Sequence, residues 1–142
     1  MLKRLSTLAT LVSLALASSV AAAAYPEKPI SVVVPFAAGG PTDVVARTLA
    51  QAMSAPLKGT LVVENVGGAG GTIGAGKVAR AAGDGYTLLF HHIGMSTAPA
   101  LYRKLDFKPL DDFIPIGAVV DVPMTLIAKP QTTQANAKDL VA

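Results

Sequence analysis

The chain contains no cysteine among its 142 residues, and charged side chains make up 15% of it. Without thiols, cysteine-based catalysis and zinc–thiolate sites are excluded, and the fold must be stable without disulfides. The chain also lacks a concentrated basic region. Leaving out Lys3 and Arg4, which fall in the segment described next, ten basic residues stand against nine acidic ones. This near-neutral balance predicts neither a nucleic-acid partner nor binding to a membrane surface.

The first 24 residues have the three parts of a secretory signal peptide. Residues 1–4 end in the basic pair Lys3-Arg4, and residues 5–17 are apolar apart from a few hydroxyl side chains. A run of small residues then ends at Ala24. A membrane anchor would need about 20 apolar residues, which is more than this stretch supplies. We therefore predict export to the periplasm and cleavage near Ala24, with Ala22 and Ala23 as alternative positions.

Strands and helices are predicted to alternate after the signal peptide. Runs of β-branched or other apolar residues at 30–34, 61–63 and 86–90 predict three strands, the first of them buried on both faces. Helical spacing predicts a first helix that is capped by Thr42 and stopped by Pro56 and Gly59, and a second one over residues 72–82. This order is typical of an α/β fold with a parallel open sheet and helices on both faces.

The pattern is less regular beyond residue 90. We predict a short helix over residues 98–102, extended strands at 116–120 and 124–128, and the opening of a helix within residues 132–142. No glycine or closing polar residue follows that last helical stretch. This favours a truncated chain over a frayed tail.

Two glycine-rich turns, at residues 35–43 and 64–72, each follow a strand and open a helix. A helix start presents unpaired N–H groups and the positive end of the helix dipole, which together bind carboxylate or phosphate. Parallel strands place both turns at the same edge of the sheet, where His91 and His92 also fall. The sequence therefore predicts an anion site there.

Some residues near this edge have both a structural and a functional interpretation. Asp43 is either a group that stabilises the helix start or one that contacts the ligand. Ser96 either caps the short helix or donates a hydrogen bond to the ligand. One of the two histidines is expected to point into the cleft.

Nucleotide binding uses the same backbone geometry, but its motifs fit poorly. Residues 71–77 match the first seven positions of a phosphate-binding P-loop, yet Val78 stands where a serine or threonine must reach magnesium. Counted from Gly68, the dinucleotide pattern has Ile73 at its third glycine position. We predict no nucleotide cofactor.

Catalysis has weaker support in the sequence than binding. Ser96 is close in sequence to His91 and His92, but no Gly-x-Ser-x-Gly pattern surrounds it. Adjacent histidines point in different directions, so we predict no metal site. Two other classes stay open: an exported hydrolase or transferase that uses the turns as an oxyanion site with a histidine base, and an envelope scaffold that binds nothing.

Three motifs together resemble the substrate-binding receptors of tripartite tricarboxylate transporters, also called the Bug family. They are Tyr-Pro-x-Lys-Pro-Ile at residues 25–30, the segment Val-Pro-Phe-x-Ala-Gly-Gly-x-x-Asp-x-x-Ala-Arg at 34–47, and Val-Glu-Asn-x-x-Gly-Ala-Gly-Gly-x-x-Gly at 63–74. Residues 99–117 follow the same family in order and spacing. The resemblance implies a non-enzymatic periplasmic receptor whose two α/β lobes close on a carboxylated solute and dock on membrane permease subunits.

Applied to this sequence, the resemblance implies an incomplete first lobe over residues 25–120, and a crossover strand with the start of a second lobe over 121–142. Backbone amides and ordered water are expected to hold a ligand carboxylate, with no cofactor. The candidate ligand-binding residues are Phe36, Ala38, Gly39, Gly40, Thr42, Asp43, Gly70, Gly71, Thr72, His91 and Ser96.

Overall fold

The computed structural model describes residues 24–123, 125, 127–133, 136 and 138–139. The predicted signal peptide therefore lies outside the described residues, apart from Ala24. Within the described ranges, no helix combines the length and the apolar character that a membrane crossing requires.

Three parallel strands form one sheet: β1 Ile30–Val34, β2 Leu61–Asn65 and β3 Thr87–Leu89. β1 lies in the middle, in the order β2-β1-β3. Val34 is in register with Asn65, so β1 and β2 end at the same edge of the sheet. The three predicted strands are confirmed, although β3 is shorter than predicted.

Helices connect and flank the strands. They are α1 Pro41–Leu57, α2 Thr72–Ala79 and α3 Gly94–Leu101, and a single 3-10 turn at Ala69–Gly71 leads into α2. α1 packs on β1 and β2, whereas α2 packs on β1 and β3. Each connection between parallel strands thus contains a helix.

Both faces of the sheet are covered. Successive residues of a strand point to opposite faces, and neither Val33 nor Val34 is exposed to solvent. β2 and β3 lie on either side of β1, so right-handed crossovers place α1 and α2 on opposite faces. This is the predicted α/β arrangement, with its core centred on β1.

The start of α1 differs from the prediction. Gly40, not Thr42, is the N-cap residue, and Pro41 occupies the first helical position. Proline suits that position because its fixed φ is already helical and its missing N–H would have no partner there. The helix also passes Pro56 and ends at Leu57, after which Lys58 adopts a left-handed conformation with φ of 51°.

Small residues bring α2 unusually close to the sheet. Gly74 is buried, and a Cβ at this position would lie 2.6 Å from the carbonyl oxygen of Val66 and 2.7 Å from Cβ of Pro35. The glycines that resemble a nucleotide motif therefore include one that close packing requires. α2 ends at Ala79 and not at residue 82, because a tight turn follows in which the Ala81 amide donates to the Val78 carbonyl.

The region after β3 contains the main errors of the sequence prediction. α3 begins at Gly94, earlier than the predicted residue 98. The strand predicted at residues 116–120 is wrong: these residues join no sheet among the described ones, and Ile116 is 83% exposed. In the second predicted strand, residues 124 and 126 lie outside the described ranges and the others are not in a strand. Most of the helix opening predicted within residues 132–142 also lies outside them.

Candidate functional site

The two glycine turns lie against each other at the carboxyl edge of the sheet. A Cβ placed on Gly71 would be 3.1 Å from Cζ of Phe36, and one placed on Gly67 would be 3.7 Å from the Phe36 carbonyl carbon. This proximity follows from the parallel pairing of β1 and β2, which end side by side. The structure therefore brings together the two turns that the sequence singles out.

Several backbone amides predicted to hold an anion are used inside their own turns. The pairs are Gly39 N–H to the Asp43 carboxylate at 2.8 Å, Gly40 N–H to Ala37 O at 3.2 Å, Gly71 N–H to Gly68 O at 2.9 Å, and Thr72 N–H to Ala69 O. These amides shape the turns. A direct hydrogen bond from them to a ligand stays a prediction.

Other amides of the same turns are unpaired, although that of Asp43 belongs to a buried residue. The N–H groups of Ala38, Thr42, Asp43 and Gly70 have no hydrogen-bond partner within the described part of the chain. Three of them lie at or just before the start of α1, where the positive end of the helix dipole favours an anion. The fourth, on Gly70, lies in the exposed 3-10 turn next to them.

Asp43 is the most deeply buried charged residue among the described ones, with 2% of its surface exposed. One carboxylate oxygen accepts the Gly39 amide at 2.8 Å and Nε of Arg47 at 2.9 Å, and the other accepts Nδ2 of Asn65 at 2.9 Å. The Arg47 guanidinium, then the Gly39 amide, then Asn65 lower the pKa of Asp43 from 3.8 to about 2, against the opposing effect of burial. The carboxylate thus stays charged and fixes the first turn. Contact between Asp43 and a ligand stays a prediction.

Asn65 belongs to this cluster, although the sequence analysis did not select it. Its Nδ2 also donates to the Phe36 carbonyl at 3.2 Å, and its Oδ1 accepts Nη2 of Arg47 at 2.9 Å. A polar residue that closes an apolar strand directly before a glycine turn is the signal that could have identified it.

An aromatic wall borders the turns. Phe36 stacks on His92 with ring centroids 4.3 Å apart, and meets His91 edge-on at 5.2 Å. The Nδ1 atom of His91 is held by the backbone of His92, so Nε2 is the nitrogen that faces the second turn, 2.9 Å from a Cβ built on Gly71. Burial is the main cause that lowers the pKa of His91 below its usual 6.5. The neutral form of its ring therefore predominates at pH 7.

Tyr102 is a second neighbour of the site that the sequence analysis did not select. It follows α3, and its hydroxyl lies so close to Gly70 that any Cβ there would collide with it. Ser96 lies on α3 with an exposed side chain, and no hydrogen bond joins it to His91 or His92 within residues 24–123. The nucleophile–base pair of a hydrolase is therefore not formed by these residues.

The threonines of the two turns differ in their environment. Thr72 donates from Oγ1 to the Ala69 carbonyl at 2.9 Å, whereas Thr42 is half-buried in the first turn of α1. In the part of the chain that the structure describes, no three His, Asp or Glu side chains are grouped closely enough to hold a metal ion.

Comparison with solved structures identifies similar folds. The periplasmic binding protein BugD is 59% identical, with a TM-score of 0.69 over 82% of this chain and 39% of its own. MatC from Rhodopseudomonas palustris, solved with bound malate, is 46% identical with a TM-score of 0.63 over 65% of this chain and 32% of its own. An R. palustris protein solved with adipate is 32% identical with a TM-score of 0.68, covering 82% and 40% of the two chains.

Curated relatives agree with these structures. An Agrobacterium vitis UPF0065 protein is 49% identical over 118 residues, which is 83% of this chain but 34% of the relative. Bordetella pertussis BugT is 40% identical over 132 residues, 89% of this chain and 40% of its own length. This chain thus spans less than half the length of the relatives it matches. The family model described as tripartite tricarboxylate transporter family receptor matches residues 45–142, and the chain belongs to that family.

Proposed function

We propose that this chain forms the carboxylate-binding part of a periplasmic receptor that captures a small organic acid for a tripartite tricarboxylate-type secondary transporter. The observation that carries the proposal is the group of unpaired amides of Ala38, Thr42 and Gly70, which lie on two adjacent turns, the first at the start of α1 and the second just before α2. Family membership and relatives solved with malate and adipate, both dicarboxylates, support it.

The local charges favour an anion in spite of Asp43. Its carboxylate is neutralised by Arg47 at 2.9 Å, so the pair carries no net charge next to the amides. A carboxylate ligand would therefore meet the amides and the dipole of α1 without a net opposing charge. Two of these amides can take one carboxylate oxygen each, which fixes the orientation of the acid.

Space for the ligand lies over the first turn. A Cβ at Gly39 would meet no atom within 4 Å, so this side of the turn is open. Phe36 and His91 form an aromatic boundary on the side of the second turn. A neutral His91 presents no charge to the acid, so binding depends on hydrogen bonds and the helix dipole.

The proposed mechanism is binding without bond breaking, and it needs no cofactor and no nucleic acid. The signal peptide predicted at residues 1–24, together with a periplasmic relative such as BugD, supports action in the periplasm. The bound form would then dock on the membrane permease subunits of the transporter. In this proposal residues 25–120 supply the first lobe, and residues 121–142 lead into the second.

A thermal-shift and calorimetric titration tests the proposal. We expect malate, adipate or citrate to raise the melting temperature in a concentration-dependent way. At a ligand concentration of 100 Kd, binding should add about 2.7 kcal/mol to the free energy of unfolding. The neutral amide of the same acid, with every carboxylate converted, should have no effect. No stabilisation by any di- or tricarboxylate in a broad panel would refute the proposal. Turnover of the acid that is lost on changing His91 would instead favour the exported hydrolase or transferase.

A variant pair localises the binding. We expect Gly39→Val to weaken carboxylate binding at least tenfold, because its side chain fills the open space over the first turn. Gly85→Val is the matched control: Gly85 has φ of 81° against 79° for Gly39, but it precedes β3 at the opposite end of the strands. Equal binding by the Gly39 variant and the parent chain would place the ligand elsewhere.

A further inference from the structure

We propose that Asn65 is a positioning residue that sets the carboxylate affinity of the first turn without contacting the ligand. This inference rests on the proposed function for the identity of the ligand. Asn65 is the last residue of β2 and stands in register with Val34, the last residue of β1. Its side chain therefore leaves β2 at the point where the first glycine turn begins.

The hydrogen bonds of the Asn65 side chain are all directed into the first turn and α1. Both hydrogens of its amide nitrogen are used, one by the Asp43 carboxylate at 2.9 Å and one by the Phe36 carbonyl at 3.2 Å. Its oxygen accepts Nη2 of Arg47 at 2.9 Å. An asparagine side chain has two N–H donors, so none is left for a ligand. Any effect of Asn65 on binding must then pass through its partners.

Those partners fix the shape of the first turn. Asp43 holds the Gly39 amide at 2.8 Å, and Gly39 has φ of 79°, a conformation that the turn must maintain. The Phe36 carbonyl, two residues before Ala38, is the second point at which Asn65 holds this turn. Removing the Asn65 amide leaves one oxygen of a buried carboxylate without its donor, which is costly. The Asp43 side chain is then expected to reorient and release the Gly39 amide.

Asn65 also connects the two turns, because it lies in the second turn and is followed by that turn's glycines. The same side chain that ends β2 thus holds the first turn at a fixed distance from the Gly70 amide. A ligand that uses amides from both turns requires that distance to be constant. The geometry accounts for an asparagine here, since its side chain donates to a carbonyl and a carboxylate and accepts from a guanidinium.

The test uses Asn65→Leu, which keeps the size of the side chain and removes its hydrogen bonds. We expect the Gly39 amide of the ligand-free protein to exchange with solvent about tenfold faster, and malate to bind about tenfold more weakly. Glu64→Gln is the matched control, because Glu64 is the neighbouring residue but bonds to Lys77 and Ser31. That variant should leave both quantities unchanged.

Rescue separates positioning from a general loss of stability. The double variant with Asp43→Asn and Asn65→Asp exchanges the amide and the carboxylate and keeps the charge beside Arg47. We expect its malate affinity to lie closer to that of the parent chain than the affinity of either single variant does. Should Asn65→Leu fail to fold, Asn65→Asp is measured with the same two readouts, and we expect the same direction of change.

Each outcome has one meaning. If both Gly39 exchange and malate affinity are unchanged in the Asn65 variants, the positioning role is overturned. If affinity is weaker but Gly39 exchange is unchanged, Asn65 contacts the ligand directly, and the positioning role is overturned as well. If the parent chain binds no di- or tricarboxylate in the broad panel, the proposed function fails. Gly39 exchange in the Asn65 variants still decides whether Asn65 fixes the turn.

Discussion

Asp43 shows how single residues prepare the site. It is buried, charged and hydrogen-bonded by Gly39, Arg47 and Asn65, and these partners lower its pKa from 3.8 to about 2. Sequence motifs identified Asp43 and the glycines because each of them lies within a few residues of a strand end or a helix start. They did not identify Asn65, whose bond to the Phe36 carbonyl joins residues 29 positions apart. They also missed Tyr102, which reaches Gly70 only because α3 folds back.

The lowered pKa of Asp43 predicts a specific acid sensitivity. Because the folded-state pKa lies below the ordinary value, the stabilisation from this carboxylate is complete above about pH 4 and is lost as the pH falls toward about 2. Carbon NMR of the Asp43 carboxyl should give a midpoint near 2. Asp43→Asn should remove the corresponding part of the acid dependence of the unfolding free energy. A midpoint at 3.8 would contradict the hydrogen-bonded arrangement.

His91 predicts a second titration. Burial lowers its pKa below 6.5, so the ring is uncharged at pH 7, and the stability it contributes is present above pH 6.5 and decreases as the pH falls below that value. NMR titration of its ring protons should therefore give a midpoint below 6.5. Carboxylate affinity should be equal at pH 7 and pH 8. A midpoint at 6.5 would indicate an exposed ring that does not border the second turn.

At the scale of elements, local sequence patterns predicted the strands and α1, because β-branched runs and helical spacing act over a few residues. The helix ends were less accurate, since Pro41 moves the start of α1 and a turn after Ala79 ends α2 early. Residues 116–120 show what a local pattern leaves undetermined. Their apolar composition suits a strand, but a strand also needs a partner, which is a tertiary property.

Close packing of α2 predicts that alanine substitutions at two glycines lower the free energy of unfolding by different amounts. Gly74→Ala should lower the free energy of unfolding by about 1–3 kcal/mol, because its Cβ would meet the Val66 carbonyl and Pro35 at less than 3 Å. Gly83→Ala is the control, since a Cβ there meets nothing within 4 Å, and its effect should stay within about 0.5 kcal/mol. Urea unfolding of both variants measures the difference. Equal effects would show that α2 does not lie this close to the strand ends.

At the scale of the whole molecule, apolar side chains are unevenly distributed. The core is centred on β1, whereas the segment from Leu110 to Ile127 carries several exposed apolar residues, among them Ile114 at 92% and Ile116 at 83%. Single exposed apolar residues are ordinary, but a series along one segment favours self-association. The sequence alone did not predict this exposure, because it indicated strands there.

This distribution predicts how two substitutions differ. Ile116→Ser should change the free energy of unfolding by less than about 0.5 kcal/mol and reduce self-association in sedimentation experiments. Val33→Ala, at a fully buried position of β1, should cost about 2 kcal/mol. A loss of stability from Ile116→Ser as large as that from Val33→Ala would mean that residue 116 is part of the core.

The joint action of the two turns on one carboxylate is tested most directly by titrating nitrogen-15-labelled protein with malate while following the amide signals of Ala38, Thr42 and Gly70. We expect all three signals to shift with one common Kd, and the neutral diamide to shift none of them. Shifts confined to one turn, or equal shifts with the diamide, would contradict this expectation.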